Sequence, residues 1–193
     1  EEEEEEEEEE EVVLDPSNDV TLMFDNFDNY DYSSTWATFE GSEFNYYSST
    51  WDYFSNGSPA MYFEQFYSDS YTSTNDLQIT DDHEYLYIEF DYHIINNHSE
   101  ARNKLYVSIN YGEWVLIKDL GSWERKKDHK VKVRFDDFNV GDFIKFKYEN
   151  SISYESGYDY KLETLMDNWH VYTSNNYYQI ESEETICYNR MNR

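Results

Sequence analysis

From Val20 onward the hydrophobic positions of this chain recur at every second residue. In EYLYIEFDYHI, which begins at Glu84, Leu86, Ile88, Phe90, Tyr92 and Ile94 fall on one side, while Tyr85, Tyr87, Glu89, Asp91 and His93 fall on the other. A period of two marks a strand with one buried face. KLYVSIN carries Leu105, Val107 and Ile109 toward a turn at Tyr111 and Gly112, and the chain returns through Trp114, Leu116 and Leu120, the pattern of a hairpin. KVKVRF sets Val131, Val133 and Phe135 against Lys130, Lys132 and Arg134. After a turn at Asn139, Val140 and Gly141, DFIKFKY sets Ile144, Phe146 and Tyr148 against Lys145 and Lys147. VTLMF, TWATF, AMYFEQF and DLQI predict earlier strands, and NWHVYT and YYQI a last pair. No segment keeps a helical period over the length an independent helix needs. About ten short strands, each with one apolar face, predict an all-β fold, an antiparallel β-sandwich of jelly-roll type.

Composition agrees. Aromatic residues make up 20% of the chain, 21 of them tyrosine, and rings pack well on a half-buried strand face. Charge adds the organisation. Residues 1–11 are unbroken glutamate in a chain of net charge −29. Such a run repels itself and has nothing to bury. Residues 1–16 therefore read as an acidic disordered tail or linker, 17–184 as the sandwich domain, and 185–193 as a C-terminal tail. A chain that opens on a linker is expected to be part of a larger multidomain protein. The acidity argues against nucleic acid as a partner, because phosphate would be repelled. No stretch is long and apolar enough for membrane insertion. The one cysteine, Cys187, cannot form an internal disulfide.

Tyr32-Ser33-Ser34-Thr35-Trp36 recurs as Tyr47-Ser48-Ser49-Thr50-Trp51. The two tryptophans could be stacking platforms for a flat ligand or anchors of successive strands. Large rings dominate a sandwich core, so anchors are the first reading, and sugar stacking on an exposed Trp51 is the alternative. MFDNFDN, then Trp36 and Trp51, then LYIEFDYHI, KLYVSIN, GEWVLIKDL, VRFDDFNVGDFIKFKYEN and DNWHVYTSN follow one another across about Val20 to Ile180. In this the chain resembles the MAM-like, choice-of-anchor-type jelly rolls found beside secreted peptidases and on bacterial surfaces. The resemblance implies an extracellular or cell-surface accessory module. The disulfides of animal MAM domains are absent, and Asp167 stands alone before Asn168 where paired aspartates are usual.

Candidate chemistry follows from the polar positions. Glu89 and Asp91 sit two apart on one strand face, where sugar-cleaving jelly rolls place carboxyl groups. The run Glu-x-Asp-x-x-Glu of β-glucanase-like folds fails here at Ile94, so the pair reads first as a solvated face and a strand-borne glycoside hydrolase is the third function considered. Five histidines show no zinc spacing, and there is no nucleophile elbow. Asp25 and Asp28, within DNFDNYDY, offer hard oxygens for a structural Ca2+. Tyr85, Tyr87 and Tyr106, beside Glu89 and Asp91 and joined by Trp51, form the expected ligand-binding set. Rings would stack on sugar faces while carboxylates and amides bond the hydroxyls.

Lys130, Lys132, Arg134, Lys145 and Lys147 form a basic island on what should be the outward faces of two neighbouring strands. It reads either as cross-strand pairing with acids or as a docking surface for an acidic protein segment or a uronic-acid polysaccharide. The leading expectation is a non-catalytic module that binds a polysaccharide or glycan. The alternative is a structural or adhesive protein-protein module that uses the basic patch.

Overall fold

The computed structural model describes residues 15–27, 35–40, 45–47, 60–65, 70–96, 101–121, 128–152, 162–180 and 187–188. Trp51 and Asp28 lie outside the described residues. A 3-10 turn, Pro16–Asn18, capped by Asp15, leads into the strands. These are β1 (Val20–Asp25), β2 (Trp36–Glu40), β3 (Asn45–Tyr47), β4 (Ala60–Gln65), β5 (Ser70–Thr74), β6 (Leu77–Gln78) and β7 (Tyr85–Asn96). They continue as β8 (Ala101–Ile109), β9 (Val115–Gly121), β10 (Asp128–Phe135), β11 (Phe143–Ile152), β12 (Leu162–Ser174) and β13 (Cys187–Tyr188).

Two sheets pack face to face. Sheet A runs β13, β10, β7, β12, β4, β3, with β1 beside the second half of β12. Sheet B runs β2, β5, β11, β8, β9, with β6 against the start of β11. Every pairing is antiparallel except the short parallel contact of β13 with β10. Cys187 and Tyr188, placed by the sequence in the tail, are that strand.

The core sits where the alternation put it. Leu86, Ile88, Phe90 and Tyr92 of β7, Val131, Val133 and Phe135 of β10, and Ile144, Phe146 and Tyr148 of β11 are all buried between the sheets. Trp169 is fully buried, stacked on Phe90 at 4.9 Å and edge-on to Trp36 at 5.3 Å. Rings of this size bury roughly 150–250 Å² each, and the contact of Trp36 with Trp169 joins the two sheets. Trp36 is an anchor. It is buried, and its indole Nε1 donates to Asp25 Oδ2 at 2.8 Å, which ties β2 to the exit of β1.

Three features depart from the sequence reading. The β8 to β9 turn falls at Asn110 and Tyr111, both at positive φ, one residue earlier than expected. Gly112 serves a close approach instead, since a Cβ there would lie 3.0 Å from the carbonyl oxygen of Ile109. On the return strand Ile117 and Leu120 face the core and Trp114 stays outside. The second departure is β12, one thirteen-residue strand whose phase flips at a bulge. Met166 points inward before it, Trp169 and Val171 after it, and Asn168 is the extra residue, at φ 53°. Asparagine tolerates that left-handed conformation better than most side chains. The third is YYQI, which is not a strand; residues 175–180 lie across the outer face of sheet A.

Candidate functional site

The outer face of sheet B presents a row of rings around a covered ion pair. In register, Glu149 of β11 faces Tyr71 of β5, Lys147 faces Tyr106 of β8, and Tyr106 faces Leu116 of β9. Lys147 Nζ bonds Glu149 Oε2 at 2.8 Å and lies 4.3 Å from the Tyr106 ring centre, 5.3 Å from that of Tyr71 and 5.5 Å from that of Trp114. Tyr106 donates its hydroxyl to Glu149 Oε1 at 3.2 Å. Contacts of a cation with ring faces are worth about 0.5–1 kcal/mol at exposed sites and more when water is excluded. Here the rings leave Lys147 and Glu149 only 13% and 17% of their side-chain surface. Trp114 is different: it remains 38% exposed. Past this row Lys145 pairs with Asp76 at 3.2 Å, and Tyr111, which donates its hydroxyl to Asp76 at 3.3 Å, stacks on Phe143.

The outer face of sheet A is built differently. Lys132 of β10 pairs with Glu89 of β7 at 2.6 Å, and Tyr172 of β12 donates its hydroxyl to the same carboxylate. Tyr87 stacks on Tyr172 at 5.2 Å and is fully buried, because residues 175–180 close over it. Its hydroxyl donates to the Asn176 carbonyl at 2.9 Å and accepts from the Tyr178 amide at 3.0 Å. Tyr178 covers Lys132 at 4.5 Å and donates to Asp19 at 2.7 Å, while Tyr177 lies 4.2 Å from the Arg134 guanidinium, which also lies 5.3 Å from Tyr85. Burial pushes the Tyr87 hydroxyl up to about 12. Burial also pushes the Glu89 carboxyl up, but hydrogen bonds from Lys132 and Tyr172 outweigh it and hold the group below the usual carboxylate range. Beyond the covering segment, Asp91 accepts a hydrogen bond from Asn168 Nδ2 at 2.9 Å.

These placements correct the expected ligand set. Tyr106 is on sheet B while Tyr85, Tyr87, Glu89 and Asp91 are on sheet A, so the three tyrosines do not share a face. Tyr87 is an internal prop and offers no open ring face. The basic island is divided as well. β10 and β11 belong to different sheets, and the link between them, residues 136–142, is a corner from one sheet to the other, with the Gly141 amide bonded to the Ile79 carbonyl at 2.8 Å. Lys132 pairs across strands with Glu89, Lys147 pairs with Glu149 of its own strand, and Lys145 pairs with Asp76 in the link between β5 and β6, so all three meet a carboxylate and the cross-strand reading describes Lys132 alone. The Asp25 carboxylate accepts from the Phe27 amide at 2.8 Å, from the Thr35 hydroxyl at 3.1 Å and from the Trp36 indole. Among the described residues no group of three His, Cys, Asp or Glu gathers around a metal-sized space. Sequence reasoning missed Tyr71 and Trp114. Placing the turn at Asn110, a residue that favours positive φ, would have shifted the phase and brought Trp114 outward.

No family model matches the chain, and no curated protein matches it. Among solved structures it is similar to the CBM22-1 xylan-binding domain of Paenibacillus barcinonensis Xyn10C, with TM-score 0.55 and 12% identity over 81% of this chain and 96% of that one. It is also similar to the CBM22-1-GH10 modules of Clostridium thermocellum Xyn10B complexed with xylohexaose, with TM-score 0.51 and 13% identity over 84% of this chain and 30% of that one. A third similarity is to an exo-β-agarase, with TM-score 0.53 and 14% identity over 85% of this chain and 26% of that one. The fold is a jelly-roll β-sandwich. At these identities the likeness is one of fold, and in the two longer chains this fold spans under a third of the length. Among the described residues no helix is long and apolar enough to cross a membrane.

Proposed function

We propose that the chain is a non-catalytic, extracellular accessory module of a larger protein, and that it binds a polysaccharide chain along the outer face of sheet B. The observation that carries this reading is the grouping of Tyr71 of β5, Tyr106 of β8 and Trp114 at the entry to β9 around Lys147 of β11, with Trp114 open to solvent. Ring faces grouped on one sheet suit the C–H faces of a polymer's sugars, and the Lys147 and Glu149 pair lies covered beneath them. Because that pair is internally neutral within a strongly acidic chain, the fitting ligand is a neutral polysaccharide. Similar folds include a xylan-binding domain and modules complexed with xylohexaose, which supports the ligand class.

The state of Glu89 supports the non-catalytic part. A glycosidase acid needs a carboxyl whose pKa is raised; Glu89 is held low by Lys132 and Tyr172. The MAM-like spacing belongs to the same proposal of a surface module. A structural cation at Asp25 and Asp28 is a separate proposal that rests on the acidic run; unchanged thermal melts with and without chelator would remove it.

The test is depletion of the folded chain from solution by insoluble xylan, agarose, mannan and cellulose. At least one should retain it, and Tyr106→Ala and Trp114→Ala should each weaken retention. Wild-type protein left in solution by all four, or retention indifferent to both substitutions, would overturn the proposal.

A further inference from the structure

The uncovered half of sheet A holds a depression of about 150 Å³ that the proposed function does not use. It opens between Phe24 of β1, Asn168 and His170 of β12, Glu89 and Asp91 of β7, and Lys130 of β10. The segment 175–180 covers Tyr87, Lys132 and Arg134 and leaves this end of the sheet open.

Three independent features mark it as more than a surface dimple. Phe24 is 53% exposed at its lip, held edge-on against His170 at 5.6 Å, and His170 is itself fixed by stacking on Tyr172 at 4.6 Å and by a hydrogen bond between its Nε2 and Thr21 Oγ1 at 2.9 Å. The bulge at Asn168 spends a left-handed backbone on turning that amide toward Asp91, and bulges that re-aim a side chain recur beside functional sites. The charges then balance. Glu89 is paired with Lys132, and Asp91 faces Lys130 in register.

We infer that this depression is a second binding site, which takes one neutral sugar unit such as a chain end. Its size decides against a longer occupant, being well under the roughly 300–1,000 Å³ of clefts that enclose drug-sized ligands. Phe24 supplies a ring face for the C–H side of the sugar. Asp91 Oδ1 and Asn168 Oδ1 accept from hydroxyls, and Lys130 donates at the rim. The two carboxylates are matched by Lys132 and Lys130, and an acidic sugar would still approach a chain of net charge −29, so the site favours uncharged units. With one site on each outer face, the module would engage a polymer along its length on one side and a chain end on the other.

The experiment is a 1H-15N NMR titration of the whole chain with the methyl glycosides of xylose, galactose, mannose and glucose. At least one should give saturable shifts at the amides of Phe24, Asn168 and His170. Phe24→Ala, at an exposed position, and Asn168→Gly, which keeps the left-handed backbone free of strain, should each weaken that binding tenfold or more. Trp114→Ala should leave it unchanged, so this site and the sheet B row succeed or fail separately. No saturable shift at those three amides with any of the four glycosides, or undiminished affinity in both folded variants, overturns the inference.

Discussion

The two outer faces carry similar residues and put them to opposite uses. Both set a lysine against a glutamate and surround the pair with tyrosines: Lys132, Glu89, Tyr87, Tyr172 and Tyr178 on sheet A, Lys147, Glu149, Tyr71 and Tyr106 on sheet B. On sheet A the chain covers its own cluster with residues 175–180, so ring faces and hydroxyls are used internally. On sheet B no described segment lies over the row, and Trp114 stays open. An aromatic and acidic strand face is therefore not by itself a ligand site. What decides is whether the chain returns to cover it.

The largest expected effect tests the covered face. Tyr87→Ala removes a fully buried ring and should cost about 3–5 kcal/mol in urea denaturation, as large-to-small changes of aromatic core residues do. Tyr106→Ala on the open face should cost far less stability. Equal losses at the two positions would erase the distinction drawn between the faces.

Next is the open face itself. Trp114→Ala should lower polysaccharide retention at least tenfold, about 1.4 kcal/mol, while costing about 1–2 kcal/mol of stability, less than a fully buried ring because more than a third of it is already in water. A stability loss comparable to that of Tyr87→Ala would make Trp114 a structural residue.

The sequence showed the sandwich through alternation, and β7 from Leu86 to Tyr92, β10 and β11 buried the side chains their period assigned. Alternation does not say which strands share a sheet. β10 and β11 look like a hairpin in KVKVRF and DFIKFKY, and only the corner at residues 136–142 sends them to opposite layers, which is why the basic island dissolved. Nor does a period survive an inserted residue. Asn168 resets the phase of β12 within one step, and the turn at Asn110 and Tyr111 resets that of β9. The open row was half legible through Tyr106. Trp114 was hidden by the shifted turn, and the covering of Tyr87 by a segment with a strand-like pattern was hidden altogether.

A third prediction concerns pH. The folded-state pKa of Glu89 lies below its unfolded value, so its contribution is fully present above the usual carboxylate range and is lost as pH falls through the folded pKa. His170, pushed below its ordinary range by burial, acts in the same direction at higher pH: the unfolded chain takes up its proton first, so stability falls as pH drops below about 6.5. Glu89→Gln should melt lower than wild type at neutral pH, and the gap should close in acid. A constant gap across that range would separate the stability of sheet A from this pair.

The smallest effect is expected at Lys145 and Asp76, whose side chains keep 29% and 35% of their surface. Lys145→Ala should change stability by no more than about 0.5 kcal/mol, measured in the same denaturation series. A larger loss would mean that the pair holds the sheet B surface together.

Retention in native gels cast with xylan or agarose, run side by side for folded wild type, Trp114→Ala and Tyr178→Ala, tests the central claim most directly. Wild type and Tyr178→Ala should be retarded by at least one polymer, and Trp114→Ala should run nearly free. Retardation lost in Tyr178→Ala and kept in Trp114→Ala would place polymer binding on sheet A and contradict it.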